Sequence, residues 1–128
     1  MEMLKRILLV DDDEVSIFIS QRVLQQAQIK AEILTASHGL AALAIVKEVC
    51  QRAQCPELIL LDINMPVMNG FGFLEEIAQL TELNLSQTKI YMCISFMHPK
   101  DKEQAYLFPI TGFLTKPLTP KVLKDILV

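Results

Sequence analysis

Carboxylates follow two apolar segments of the chain, at the point where each segment ends. A run of three aspartates, residues 11–13, comes directly after ILLV, and Asp62 comes directly after LILL. If these two segments are neighbouring parallel strands, Asp11, Asp12 and Asp62 meet at one edge of the sheet, where ligands bind in open α/β folds. Like charges that close cannot all stay ionised without compensation. Carboxylate oxygens suit Mg²⁺, so the spacing predicts a magnesium site.

Two further polar side chains follow later apolar segments and are expected at the same edge. Ser95 ends IYMCIS, and Lys116 follows GFLT. Pro117 favours extended backbone at Lys116, and the bond between them can be cis. Alone, the acids are typical helix caps and the lysine a solvated side chain. Together, three acids, a lysine and a hydroxyl fit phosphoryl chemistry, with one carboxylate as nucleophile and the cations neutralising the transferred group.

The elements that must position these residues follow from the apolar pattern. Unbroken apolar runs of strand length indicate strands covered on both faces. Strands are predicted at 7–10, 32–36, 58–61, 90–95 and 112–115. Five helices are predicted between and after these strands. The first begins after residue 13, the second is capped by Ser37, and the third begins at about Gly70 and buries Phe71, Leu74, Ile77 and Ala78. The fourth spans 99–106, and the fifth is capped by Thr119 with Pro120 in its first turn. Alternating strands and helices predict an α/β fold, a parallel sheet with helices on both faces.

Length and composition limit the other possibilities. The 128 residues, 52% hydrophobic, predict one domain spanning 1–128. The net charge of −3 with interspersed signs predicts no nucleic-acid partner and no membrane partner, and no apolar run reaches membrane-spanning length. The three cysteines, Cys50, Cys55 and Cys93, lack a CxxC spacing and are interpreted as reduced, buried thiols. Reduced thiols favour a cytoplasmic location for the protein.

Four segments in order resemble a response-regulator receiver domain: ILLVDDD, LILLDINMPVMNG, the hydroxyl of Ser95, and FLTKP. The resemblance spans nearly the whole chain. It implies a flavodoxin-like, doubly wound sheet of five parallel strands in the order 2-1-3-4-5, with five helices. It further implies a stand-alone response regulator, because helix five ends the chain. The partners would then be a sensor histidine kinase or histidine phosphotransfer protein, and an unknown downstream protein.

The resemblance also implies roles for single residues. Asp62 would accept the phosphoryl group, and Asp11, Asp12, Asp62 and the carbonyl of Asn64 would hold Mg²⁺. Lys116 would contact the phosphoryl oxygens. Ser95 and Phe113 would form the switch that reshapes the face of helix four, strand five and helix five. The chain would be a signalling phosphoacceptor rather than an enzyme, with slow autodephosphorylation at most.

Two residues depart from the family pattern. Phe96 stands where the family usually has a small residue, so it either narrows access to Asp62 or packs against helix four. Met97 cannot orient a water molecule for attack on the phosphoryl group. The hypothesis is therefore that the phosphoryl group on Asp62 has a long lifetime.

Three alternatives are weighed against the receiver interpretation. An Mg²⁺-dependent aspartyl phosphatase needs a second acid where Asn64 stands. A nucleotide-binding protein needs a glycine-rich phosphate loop, which the four glycines do not form. A receiver-like binding module that is never phosphorylated stays open.

Overall fold

The computed structural model of the chain describes residues 5–63, 65, 67–80, 85, 87–95, 99–108 and 110–127. Five strands and five helices alternate along these residues. The strands are β1 (Arg6–Val10), β2 (Glu32–Ala36), β3 (Leu58–Asp62), β4 (Lys89–Ile94) and β5 (Gly112–Thr115). The helices are α1 (Glu14–Gln26), α2 (Gly39–Gln51), α3 (Gly70–Ala78), α4 (Pro99–Ala105) and α5 (Pro120–Ile126).

The strands form one parallel sheet in the order β2-β1-β3-β4-β5. The predicted fold class and strand order are therefore confirmed. β1 and β3 are the neighbours on which the predicted acidic cluster depends. Their register pairs Val10 with Leu61, so both strands reach the same edge of the sheet.

Apart from one charged residue at an end of each, β1 and β3 are apolar, because helices cover both faces of the sheet. In β1, Ile7 and Leu9 join a cluster with Leu24 of α1 and Leu123 of α5. The alternate residues Leu8 and Val10 join the larger cluster on the other face. Residues from α2, α3 and α4 complete that larger cluster: Ala42, Leu43, Val46, Phe71, Phe73, Leu74, Ile77 and Ala105. Successive strand side chains point to opposite faces, so neither face can be polar.

Two details of the helices differ from the prediction. The cap of α2 is His38 rather than Ser37, because His38 Nδ1 accepts the Ala41 N–H at 3.0 Å. In α3, Phe73 is fully buried and Ala78 is exposed. At 100° per residue Phe73 lies at the margin of the arc that Phe71, Leu74 and Ile77 define, so it widens the buried face. Ala78 lies within that arc, but it is the last residue of α3 and is exposed there.

The cysteines divide into a bonded pair and a buried thiol. Cys50 and Cys55 form a disulfide, so the prediction that all three thiols are reduced is wrong. A helix that ends in a tight turn brings residues five apart together, and their Cα atoms lie 4.3 Å from each other. Cys93 is free and buried, as predicted. The inference of a reducing compartment loses its basis.

No helix within the described ranges has both the length and the apolar character needed to cross a membrane.

Candidate functional site

The three acids predicted to meet do so at the carboxyl edge of β1 and β3. Asp11 and Asp12 follow β1 directly, and Asp62 is the last residue of β3. One carboxylate oxygen from each lies within 4.8 Å of the other two. Asp11 is buried, Asp62 is half-buried and Asp12 is exposed, so the cluster opens to solvent on one side.

The third aspartate of the run serves a different purpose. Asp13 is the N-cap of α1, and its Oδ1 accepts the Val15 N–H at 3.0 Å. The Asp13 N–H in turn donates to Asp11 Oδ1 at 3.0 Å, which fixes the orientation of that carboxylate. The simple capping role that an acidic run suggests therefore applies to one of its three members, and the other two face the cluster.

Lys116 supplies positive charge to the acids from the end of β5. Its Nζ lies 2.6 Å from Asp11 Oδ2 and 3.6 Å from Asp62 Oδ1. The Lys116 N–H donates to the Ile94 carbonyl at 2.7 Å, so the lysine is anchored to β4 by its backbone. The bond to Pro117 is cis, one of the forms that the sequence allows.

The electrostatics of the site leave Asp62 poorly compensated. Burial raises the pKa of Asp62, and the Asp11 and Asp12 carboxylates raise it further. The Lys116 ammonium and the Ile63 N–H, which donates to Oδ1 at 3.0 Å, oppose this shift without cancelling it. Burial acts to lower the pKa of Lys116, but Asp11 and Asp62 outweigh it and the pKa is raised. The pair of charges favours both ionised forms, but for the Asp62 carboxylate burial outweighs this effect.

Three carboxylates around one ammonium make a site that fits a divalent cation. The ligand atoms available from Asp11, Asp12 and Asp62 are all carboxylate oxygens, the hard donors that Mg²⁺ and Mn²⁺ prefer. The exposed side of the cluster leaves room for water ligands, which Mg²⁺ retains. Asn64, which the resemblance adds to this set, lies outside the described residues.

The turn after Asp62 is held against two helices by close backbone contacts. The Gly70 N–H donates to the Ile63 carbonyl at 2.8 Å, and a Cβ at Gly70 would come within 2.5 Å of the Asp62 carbonyl oxygen. The Gly39 N–H, at the start of α2, donates to the Met68 carbonyl at 2.7 Å. Only glycine allows these approaches.

Ser95 directly follows β4, and Phe113 lies on β5. Ser95 follows β4 and lines, with Lys116, a cavity of about 220 Å³ between α1 and the β5–α5 connection. Phe113 is half-buried, and its ring meets that of Tyr106 edge to face at a centroid distance of 5.6 Å. Phe96 and Met97 lie outside the described residues.

An exposed apolar surface beside the cluster is a feature that the sequence analysis missed. Val15, Phe18 and Ile19 of α1 are 63%, 60% and 41% exposed, and we call them the α1 apolar face. Helical spacing predicts that such residues share a face, but it does not show whether that face meets the sheet or solvent. Ile19 also lines the cavity that Lys116 and Ser95 share. The α1 apolar face is therefore continuous with the site.

Comparison with known proteins relates this geometry to one family. The model of the response regulator receiver domain family matches residues 7–128. Response regulator Rcp1 of Synechocystis is 31% identical over 114 residues, which cover 88% of this chain and 76% of that protein. The probable transcriptional regulator ycf27 of Cyanophora paradoxa is 29% identical over 97% of this chain and 47% of its own length. The chain thus spans about half the length of such relatives.

Solved structures agree with the sequence comparison. The chemotaxis protein CheY4 of Vibrio cholerae superposes with a TM-score of 0.78 at 31% identity, covering 97% of this chain and 96% of that one. The Mn²⁺-bound form of Rcp1 superposes with a TM-score of 0.75 at 30% identity, covering 95% and 88%. A similar protein thus binds a divalent cation.

Proposed function

This chain belongs to the response regulator receiver domain family, and we propose on that basis that it is a phosphorylation switch whose acceptor is Asp62. Receiver domains are signalling phosphoacceptors and generally not enzymes. The phosphodonor we propose is a phosphohistidine on a sensor histidine kinase or a histidine phosphotransfer protein. The switch would consist of this receiver domain, residues 1–128, whatever else the full protein contains.

The observation that carries the proposal is the position of the Asp62 carboxylate between two acids and one lysine. Its Oδ1 lies 3.6 Å from Lys116 Nζ, and the Asp11 and Asp12 oxygens lie within 4.8 Å. A capping aspartate has no need of such neighbours, since a cap is satisfied by backbone N–H groups alone. The raised pKa of Asp62, caused first by burial, is typical of a functional carboxyl.

The proposed reaction is an in-line transfer from nitrogen to oxygen. An Asp62 carboxylate oxygen forms a bond to phosphorus as the bond from phosphorus to the donor imidazole nitrogen breaks, and the imidazole leaves with the bonding pair. Asp11 and Asp12 would hold Mg²⁺, and the ion would supply positive charge to the phosphoryl oxygens. The Lys116 ammonium, 3.6 Å from Asp62 Oδ1, would neutralise a further phosphoryl oxygen. Catalysis is then mostly positioning and electrostatics.

The output we propose is a change of protein contacts rather than chemistry. The Ser95 hydroxyl would donate to a phosphoryl oxygen on Asp62, and the cavity that Ser95 shares with Lys116 supports this role. Phe113 lies on β5, which Lys116 directly follows, and it would move inward behind Ser95. The affected surface would be the face formed by α4, β5 and α5, and the downstream partner would bind there.

The α1 apolar face is the surface we propose for the phosphodonor. A donor histidine must come within bonding distance of Asp62, so the protein that carries it must cover the adjoining surface. Val15, Phe18 and Ile19 provide apolar area there, and Ile19 reaches the cavity next to Lys116.

The cellular location we propose is the cytoplasm, because kinases of this kind use ATP. We propose neither nucleic acid nor membrane as a direct partner of this domain.

The test is intact-mass spectrometry after incubation with Mg²⁺ and acetyl phosphate. We expect the native chain to gain one phosphoryl group and Asp62→Asn to gain none. Asp125→Asn is the matched control, because Asp125 is exposed on α5, and it should be labelled like the native chain. Labelling of Asp62→Asn would refute the assignment of the acceptor.

A native chain that stays unlabelled would require one further variant. Phe96→Ala enlarges access for a small donor if that ring covers the acceptor. Labelling of Phe96→Ala alone would assign the barrier to Phe96 and retain Asp62 as acceptor. No labelling of either chain, from acetyl phosphate or from a panel of phosphorylated histidine phosphotransfer proteins, would favour the binding module that is never phosphorylated.

A further inference from the structure

A second site lies at the other end of β3, remote from the acids. Cys50 is in the last turn of α2, and Cys55 is in the connection that enters β3. Both residues are half-buried, whereas Cys93 is buried. We propose that Cys50 and Cys55 form a reversible thiol–disulfide site for low-molecular-weight thiols and disulfides of the glutathione class.

The turn between the two cysteines is closed without the disulfide. The Ala53 N–H donates to the Cys50 carbonyl at 3.0 Å, and the Gln54 N–H donates to the Val49 carbonyl at 2.8 Å. Ala53 adopts a φ of 58°, the left-handed conformation with which helices commonly end. This local network keeps Cys50 and Cys55 adjacent in the reduced chain as well.

The helix on which Cys50 lies does not depend on the disulfide either. Ala42, Leu43 and Val46 of α2 are buried in the larger core cluster. The opposite end of α2 is tied to the turn after Asp62 by the Gly39 N–H and the Met68 carbonyl. Both redox states are therefore folded, a requirement for a reversible site.

The small size of the loop makes the disulfide easy to open. The two cysteines are five residues apart, and short loops gain the least from a cross-link, because little chain entropy is removed from the unfolded state. Structural disulfides resist reduction when they are buried or when they close long loops. This pair does neither. Because the two residues are only half-buried, attack is easier here than at a buried disulfide, since exchange requires a thiolate to reach one sulfur directly.

Oxidation takes place in two exchange steps. One cysteine, as thiolate, attacks a glutathione disulfide, so that a mixed disulfide forms and one glutathione thiolate leaves. The second cysteine thiolate then attacks the protein sulfur of the mixed disulfide and releases the second glutathione. Two protein thiols are oxidised and one glutathione disulfide is reduced to two thiols. With Cα atoms 4.3 Å apart, the second step is intramolecular and fast.

The experiment measures the number of free thiols at equilibrium in glutathione buffers of graded ratio. The folded chain is alkylated with a maleimide, and the number of adducts is read from its intact mass. We expect zero adducts in oxidising buffer and two in reducing buffer, with one transition and unchanged far-ultraviolet circular dichroism. Cys93 should react in neither buffer, because it is buried, and Cys93→Ala should behave like the native chain.

The single variants Cys50→Ser and Cys55→Ser identify the two partners. Each should keep one thiol that forms a lasting mixed disulfide with glutathione, whereas the native chain should show none at equilibrium. Two thiols that stay free in the most oxidising buffer would overturn the proposal, and so would a disulfide that opens only after the chain unfolds. Neither result bears on the phosphorylation of Asp62, so the two proposals can fail separately.

Discussion

Asp62 is expected to lower the stability of the folded chain at neutral pH. Its pKa is raised, first by burial, so between the ordinary pKa of an aspartate and the raised one the folded state binds more protons than the unfolded state. Stability therefore falls as the pH rises through that window, and the loss persists above it. Asp62→Asn should raise the free energy of unfolding at pH 7, and the gain should shrink as the pH falls through the window.

Urea unfolding at several pH values measures this effect of Asp62. Asp125→Asn, an exposed position on α5, should change little at either end of the range. A lower stability of Asp62→Asn at pH 7 would contradict the proposed balance of charges. It would mean that the attraction to Lys116 outweighs burial.

Lys116 is expected to stabilise the folded chain, in contrast to Asp62, because its positive charge compensates the acids. Its Nζ lies 2.6 Å from Asp11 Oδ2, and both side chains are largely buried, at 20% and 10% exposed. Lys116→Met would leave the carboxylates without a cation, and we expect a loss of about 1–3 kcal/mol in the free energy of unfolding. Added Mg²⁺ should recover part of this loss. Lys121→Met, an exposed position on α5, should lose little and gain nothing extra from Mg²⁺.

For individual residues, the sequence predicted the position of a side chain correctly where the backbone determines that position. Each of Asp11, Asp12, Asp62 and Lys116 lies at the end of a strand or just past it, so knowing the strands was enough to predict that they meet. The bond between Cys50 and Cys55 was missed, because it depends on how a helix ends, at Ala53 with a φ of 58°. An apolar setting at Cys50 does not specify such a turn.

Among the elements, the turn between β3 and α3 contains a residue in an unfavourable conformation. Val67 has a φ of 68° and is 76% exposed. A β-branched residue is disfavoured in the left-handed region, whereas asparagine tolerates it. Val67→Asn should raise the free energy of unfolding by about 1 kcal/mol, since little buried surface is lost. Chemical denaturation with Val15→Asn as control, an exposed valine in a regular helix, should show no such gain.

The start of α2 offers a direct comparison between prediction and structure. The sequence favoured Ser37 as the cap, but it is His38 Nδ1 that accepts the Ala41 N–H. His38→Ala should therefore cost about 1 kcal/mol of stability, and Ser37→Ala should cost almost nothing. Thermal unfolding of the two variants would decide between the residues. Equal losses would contradict the assignment of the cap.

The order and type of the strands and helices were predictable from the sequence. Which residues of a helix are buried was less predictable. Unbroken runs such as LILL identify strands buried on both faces, and the exact match of Glu32–Ala36 and Gly112–Thr115 reflects clear boundaries. For α1, helical spacing alone does not distinguish the buried Val23 from the exposed Phe18. Periodicity defines an apolar face, but which part of a helix the sheet covers is set by tertiary packing.

On the scale of the whole molecule, β5 connects the acidic cluster to the proposed output face. Lys116 lies just past the end of β5, next to Asp62, and Phe113 lies three residues earlier on the same strand. The Phe113 ring packs edge to face on that of Tyr106, which directly follows α4. A phosphoryl group that attracts Lys116 would therefore act on a strand that also carries one half of this ring pair. The ring contact should change when Asp62 is phosphorylated.

Tyrosine emission can report that change, because the chain has two tyrosines and no tryptophan. In Tyr91→Phe the sole fluorophore is Tyr106, whose environment includes the Phe113 ring. Acetyl phosphate with Mg²⁺ should change the emission of this variant as its mass rises by one phosphoryl group. The double variant with Asp62→Asn should stay constant, and so should Tyr106→Phe, in which Tyr91 on β4 is the reporter. Full phosphorylation with unchanged Tyr106 emission would show that the ring pair is not part of the switch.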